Sequence, residues 1–136
     1  MVWRGVNRNS NSFEIDLAKS HISFYLNMLL SLFKKEDLYV EVYLTENGNQ
    51  TSSHIKDEIS LICHNLELDF KSTELTNQYY QIFQYKIFLN YQNAQIDLGD
   101  GGFVDWTQKI LTNQKQRLFI SGVGLEIIHK ICQRIV

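Results

Sequence analysis

Asn90-Tyr-Gln-Asn-Ala-Gln-Ile-Asp-Leu-Gly-Asp-Gly-Gly-Phe-Val-Asp-Trp106 is followed, after a polar stretch, by Arg117-Leu-Phe-Ile-Ser-Gly-Val-Gly-Leu-Glu-Ile-Ile128. An apolar strand runs into Gly99-Asp100-Gly101-Gly102, and a second apolar strand breaks at Gly122 and Gly124 into a helix. Two glycine-rich strand ends therefore come close together in sequence. Glycine adopts conformations denied to other residues and lets a ligand approach the backbone closely, so this arrangement suits a ligand floor better than a sheet interior. A tight hairpin plus a helix entry would use the same glycines, and isolated glycine motifs carry little specificity.

Working outward, Tyr79-Tyr-Gln-Ile-Phe-Gln-Tyr-Lys-Ile-Phe-Leu89 alternates sharply. It predicts a strand that pairs, through a connection from Asn90 to Gln95, with Ile96-Asp-Leu98 as an antiparallel hairpin. Leu38-Tyr-Val-Glu-Val-Tyr-Leu-Thr45 alternates as well, is rich in β-branched and aromatic residues, and leads to the turn signal Asn47-Gly48. Between Phe13 and Phe33, residues Ala18, Ile22, Tyr25, Leu26, Leu29, Leu30 and Phe33 recur at helical spacing. This helix is closed by Lys34 and Lys35, favourably placed against its dipole.

Ser52 and Ser53 offer caps for a second helix through about Leu66, with Ile55, Ile59, Ile62 and Cys63 as its stripe and a polar connection to about Asn77. Trp106 to Leu111 reads as a short helix or turn and Arg117 to Ser121 as a strand. Gly124 to Ile135 reads as a helix with Leu125, Ile128, Ile131, Cys132 and Ile135 inward. Met1 to Asn11 reads as a partly ordered lead-in ending in an N-cap at Asn11 or Ser12. Together these predict one α+β domain over 1–136, a mainly antiparallel sheet of about four strands with helices packed on it.

Composition narrows the function. The 136 residues are 44% hydrophobic with a formal net charge of -2, which suits a globular chain with a core. Acidic and basic residues are interspersed, so no basic surface announces nucleic acid and no basic amphipathic helix announces a membrane. Cys63 and Cys132 show no paired spacing and the N-terminus lacks the order of a signal peptide, which points to the cytoplasm. The sequon Asn49-Gln-Thr51 is then incidental, because glycosylation needs secretion. Every apolar run is shorter than the roughly 20 residues needed to cross a bilayer. Proline is absent although average usage is about 5%, which reads as compositional bias.

Tyr79-Tyr80 and Tyr85, then Gly101-Gly102-Phe-Val-Asp105, then Gly122-Val-Gly124-Leu-Glu126 resemble, in that order, the C-terminal half of the class II synthetase core. The form is that of histidyl-tRNA synthetases and their noncatalytic relatives, the regulatory subunits of ATP phosphoribosyltransferase. The helix with Glu14 near its start and the strand at Val40 are similar to the segment between motif 2 and the pocket strands. The resemblance covers roughly residues 12 to 135 and is sharpest in the last third. It implies that the tyrosine pair lines an amino-acid pocket, that Gly-Gly-x-x-Asp follows across a hairpin, and that the last helix is motif 3 under an ATP site. It also implies arginines at three positions where this chain has Leu75, Phe103 and Ile127.

Nothing resembling motif 1, motif 2 or an anticodon-binding domain is present. Adenylate formation concentrates negative charge that fixed arginines and metal must stabilise, so their loss should abolish it. The resemblance therefore implies a noncatalytic, synthetase-like module that binds a small ligand or a protein partner. Its candidate ligand residues are Tyr79, Tyr80, Gly99, Asp100, Gly101, Gly102, Asp105, Ser121, Gly122, Gly124 and Glu126. No catalytic residue is assigned and no cofactor is expected; ATP or an amino acid enters only through the resemblance, and an oligomer is left open. Two alternatives remain: a fragment of an adenylate-forming enzyme whose motifs 1 and 2 lie elsewhere, or a structural interaction module without a pocket.

Other constellations weigh less. Asp97, Asp100 and Asp105 match no calcium loop, and strand alternation would disperse them. Cys63-His64 and the pair His129 and Cys132 lack zinc-ligand spacing, and a free cysteine is commonly a buried small hydrophobe. Ser121 before Gly122 lacks the Gly-x-Ser-x-Gly elbow. Glu126 suits a helix N-terminus, and Phe83 suits the core.

Overall fold

The computed structural model describes residues 1–6, 12–45, 50–75, 80–112 and 116–135. The elements run β1 Val2–Val6, α1 Ser12–Leu30, β2 Leu38–Leu44, α2 Gln50–Asn65, β3 Asp69–Glu74 and β4 Gln81–Tyr91, then β5 Ala94–Val104, α3 Trp106–Leu111, β6 Gln116–Val123 and α4 Leu125–Ile135. One six-stranded sheet has the order β1-β6-β5-β4-β2-β3. All neighbouring strands are antiparallel except β2 and β3, which are parallel.

The α+β class and the mainly antiparallel sheet match the expectation from sequence, with two strands more than expected. Val2–Val6 is an edge strand on β6 and not a lead-in. Asp69–Glu74 is an edge strand on β2 and not a polar connection, although most of its residues are exposed. The expected turn at Asn47-Gly48 lies outside the described residues. Thr51 and Ser52 are buried within α2, so that helix starts earlier than the serine caps suggested.

The hairpin of β4 and β5 closes at Gln92 and Asn93, both with positive φ, 51° and 63°. Two left-handed residues in sequence give the tight turn whose twist suits a hairpin. From there β5 runs through all of Gly99 to Gly102, so these glycines lie inside a strand and do not end it. Likewise β6 continues past Gly122 to Val123.

Alternation divides the sheet into two faces. Val40 and Val42 of β2, Phe83, Tyr85 and Ile87 of β4, Phe103 and Phe119 face one way. They form the core with Ala18, Ile22, Leu26 and Leu29 of α1, Ile55 and Ile59 of α2, and Ile128 and Ile131 of α4. Phe119 is its centre: its ring lies within 6.5 Å, centroid to centroid, of His21, Phe83, Tyr85 and Phe103. The opposite face keeps Tyr39, Glu41 and Tyr43 of β2, Gln84, Lys86 and Phe88 of β4, and Asp100 and Gly102 of β5, by the register of the pairing.

Candidate functional site

Tyr80 stands at the entrance to β4, just before an irregularity. The pairing of β4 with β5 shifts register between Gln81 and Gln84, and Ile82 within the shift has φ 65°. A β-branched residue there is strained, by roughly 1–3 kcal/mol, and bulges of this kind re-aim neighbouring side chains. Here the Tyr80 ring covers Gly102, with Cδ1 and Cε1 closest. A Cβ on Gly102 would stand 2.5 Å from Tyr80 Cδ1 and 2.6 Å from the Phe83 carbonyl oxygen, so only glycine leaves room for the ring. The ring also packs with Val104 and Leu118 in a small cluster on this face. Its hydroxyl donates to Asp100 Oδ2 at 3.2 Å.

Asp100 is half-buried, and burial raises its pKa, opposed first by the Tyr80 hydrogen bond. Two strands away on β2, Glu41 accepts from Thr73 Oγ1 at 2.9 Å and stands 3.8 Å from Lys71 Nζ. Burial, with the Glu41 charge next, pushes the Tyr43 phenol up to about 12. Tyr39 and Phe88 stack with ring centroids 5.1 Å apart on the same face. Glu41, Tyr43, Gln84 and Lys86 are not among the residues predicted from sequence. Their signal was the same alternation that predicted the strands, because it leaves the polar members on a shared face.

The predicted ligand residues separate into three groups. Tyr80, Asp100, Gly102 and Gly122 meet on the open face, where Asp100 pairs directly with Gly122. Gly101 and Ser121 pair on the helix-covered side, and a Cβ on Gly101 would stand 2.6 Å from Tyr85 Cε1 and 2.7 Å from Ser121 Cβ. A Cβ on Gly99 would collide with the Gly122 carbonyl oxygen and Val123. Gly99, Gly101 and Gly102 thus admit the protein's own atoms. Gly122 differs: among the described residues nothing lies within 4 Å of where its Cβ would be.

At the ends, Asp105 pairs with Lys109 Nζ at 2.9 Å, and the exposed Glu126 pairs with Lys130 Nζ at 2.9 Å. The Gly124 amide donates to Leu98 O at 2.8 Å, fixing the junction of β6 and α4. Tyr79 lies outside the described residues.

Under α1 a second polar group is buried. His21 Nδ1 and Ser121 Oγ are 2.6 Å apart, and burial, with the nearby terminal ammonium, lowers His21 to about 4. Burial likewise raises Tyr85 strongly and pushes the Cys63 thiol up to about 12. The thiol is thus held protonated among the core side chains. Two hollows lie away from the predicted residues. One of about 320 Å³ is lined by Leu44, Thr45, Ser72, Thr73 and Glu74, and one of about 390 Å³ by Leu30 to Lys34, Asp37 and Tyr91.

This fold recurs in solved structures. Apo histidyl-tRNA synthetase from S. aureus superposes with a TM-score of 0.66 at 12% identity, over 93% of this chain and 36% of that one. The fold is that of the class II synthetase core. A putative threonyl-tRNA synthetase from Aeropyrum pernix matches at a TM-score of 0.54 and 12% identity, over 77% of this chain and 29% of its own. The RNA binding domain of threonyl-tRNA synthetase from Cryptosporidium parvum matches at 0.54 and 10%, over 80% and 31%. This chain therefore spans about a third of the length of these synthetases. No family model matches it, and no curated protein does. Among the described residues no helix is long and apolar enough to cross a membrane.

Proposed function

We propose that this chain is a noncatalytic domain of class II synthetase type that takes a small ligand on the sheet face opposite its helices. The observation that carries this is the Tyr80 to Asp100 hydrogen bond, a polar pair beside Gly102 on the face opposite the helices, where Asp100 is half-buried and Gly122 exposed. A buried aromatic with a fixed polar tip and a half-buried carboxylate are groups that orient a small molecule.

Adenylate chemistry finds no support in the positions where the resemblance implies arginine. Leu75 packs against the apolar cluster at Tyr80, and Ile127 is half-exposed at the start of α4. Phe103 is 1% exposed and stacked edge-on to Phe119 at 4.8 Å, in a core where a cation would be costly. The purified chain should raise its melting temperature with at least one of the common amino acids or nucleotides, since a ligand that binds only the folded state stabilises it. The same sample should show no amino-acid-dependent exchange of pyrophosphate into ATP. Robust exchange lost on mutation of Tyr80 or Asp100 would overturn the noncatalytic reading.

A protein partner is the second reading, and one feature favours it. Trp106, Ile110 and Leu111 of the short helix α3 are 43%, 79% and 47% exposed, more apolar surface than one turn of helix usually shows water. Sedimentation of the parent and of Ile110→Asp tests it, the variant losing any self-association the parent has.

A further inference from the structure

On the open face one row of directly paired residues crosses five strands. Lys71 of β3 pairs with Glu41 of β2, Glu41 with Lys86 of β4, Lys86 with Asp100 of β5, and Asp100 with Gly122 of β6. The charges alternate, positive, negative, positive, negative, and the row then ends at a residue without a side chain. Opposite charges at directly paired positions stabilise a sheet, so each inner member has a cation or anion on both sides. Asp100 has one on a single side only. That one is shared: Lys86 Nζ stands 3.3 Å from Asp97 Oδ2, so a single ammonium serves Glu41, Asp97 and Asp100. The place of the missing member is open, since among the described residues no atom comes within 4 Å of a Cβ built on Gly122.

We propose that the space over Gly122 is a subsite for the ammonium group of a small organic amine, with Asp100 as its carboxylate partner and the next member of the alternating row. This rests on the open-face binding function proposed above and narrows it to a chemical class. Several features select an ammonium. Tyr80 and Gln84 already hydrogen-bond the Asp100 carboxylate, which disfavours the two-pronged approach of a guanidinium and leaves the remaining lone pairs to a single strong N–H donor. A divalent metal needs several oxygen ligands, and no three His, Cys, Asp or Glu side chains among the described residues are grouped to hold one. Gly122 is itself exposed, so the approach runs from solvent across the glycine backbone to a carboxylate whose orientation Tyr80 fixes.

The test is a nitrogen–proton correlation titration of the full chain with n-butylamine, protonated at pH 7.5 like a lysine side chain. Butan-1-ol and butyrate serve as neutral and anionic probes of the same size. Butylamine should give saturable shifts at the amides of Asp100, Gly102 and Gly122, weakened by salt, and the other two probes none. Asp100→Asn keeps an acceptor for Tyr80 and removes the charge, so it should weaken amine binding by roughly tenfold or more. Gly122→Lys, which supplies the ammonium from the chain itself, should abolish it. A melt of each variant establishes that it is folded, and Asp100→Asn alone decides the matter if Gly122→Lys is not. Absence of local saturable shifts with butylamine, equal shifts with butan-1-ol, or undiminished amine binding by Asp100→Asn would overturn the proposal. If a nucleotide or other ligand without an ammonium group saturates the open face and Asp100→Asn binds it equally, this subsite fails while the open-face function stands. If no probe of any charge perturbs that face, both fail.

Discussion

Replacing Gly102 by alanine, beside the same change at Gly122, separates glycines that make room for the fold from the one that leaves room for something else. At Gly102 the new methyl meets Tyr80 Cδ1 at 2.5 Å and the Phe83 carbonyl oxygen at 2.6 Å. The ring can swing away, but the carbonyl belongs to the backbone of β4, held to β2 through the pairing of Phe83 with Leu44, and gives way less readily. Overpacking of this kind costs about 1–3 kcal/mol. Moving the ring also loses the hydroxyl bond to Asp100, worth on the order of 1 kcal/mol. The sum is about 2–4 kcal/mol, a fall in melting temperature on the order of 10 °C for a chain of this size. At Gly122 the methyl meets no described atom, and removing glycine reduces the freedom of the unfolded chain. Gly122→Ala should therefore be neutral or stabilising by up to about 1 kcal/mol. Urea unfolding of both variants measures the difference. The double variant Gly102→Ala with Tyr80→Ala should recover only part of the Gly102→Ala loss, because the carbonyl collision remains. A Gly102→Ala chain as stable as the parent, or a Gly122→Ala chain as damaged as Gly102→Ala, would refute the assignment of faces.

Other outcomes follow from the core and its titrating groups. Phe119→Ala, which removes the ring that four others touch, should cost about 3–5 kcal/mol in urea unfolding, and Phe119→Leu clearly less. His21 is lowered from 6.5 to about 4 in the folded chain, so as pH falls through that window the unfolded chain takes up a proton that the folded chain refuses. Stability should drop by on the order of 3 kcal/mol between pH 6.5 and 4, and His21→Asn, although less stable at pH 7, should show a flatter profile. The Asp100 shift has the opposite sign: a raised folded pKa means that stability present at low pH is lost as the carboxyl ionises on raising pH. Asp100→Asn should thus be as stable as the parent or more so at pH 7, the difference shrinking as the solution is acidified.

The elements with strong periodicity were legible before any coordinates. Helical spacing from Ala18 to Leu29 gave α1, and sharp alternation gave β2 and the hairpin of β4 and β5. The two edge strands were not. Asp69–Glu74 is almost wholly exposed and polar, so its strand character comes from pairing with β2 and not from its own pattern. Val2–Val6 is short and includes Gly5, whose missing side chain makes way for the Phe13 ring. At the site, residue types were legible and facing was not. Phe88 pairs with Asp97 and Ile87 with Gly99, a bulge that leaves Leu98 as the extra residue. Unbroken alternation from Asp97 would have turned Gly99, Gly101 and Phe103 outward and Asp100 into the core. The bulge reverses this, bringing Asp100 and Gly102 to the open face and sending Phe103 onto Phe119. Of the glycines read as strand ends, Gly101 and Gly102 are clearances for the Tyr85 and Tyr80 rings, which depends on partners distant in sequence.

The most direct trial is a crystal structure with whichever common amino acid or nucleotide most raises the melting temperature. The account predicts that molecule on the sheet face opposite α1 and α2, in contact with Tyr80 and Asp100 and lying over Gly122. A bound molecule seated instead in the hollow at Thr45 and Thr73 or against α3, or a chain whose melting none of them shifts, would contradict it.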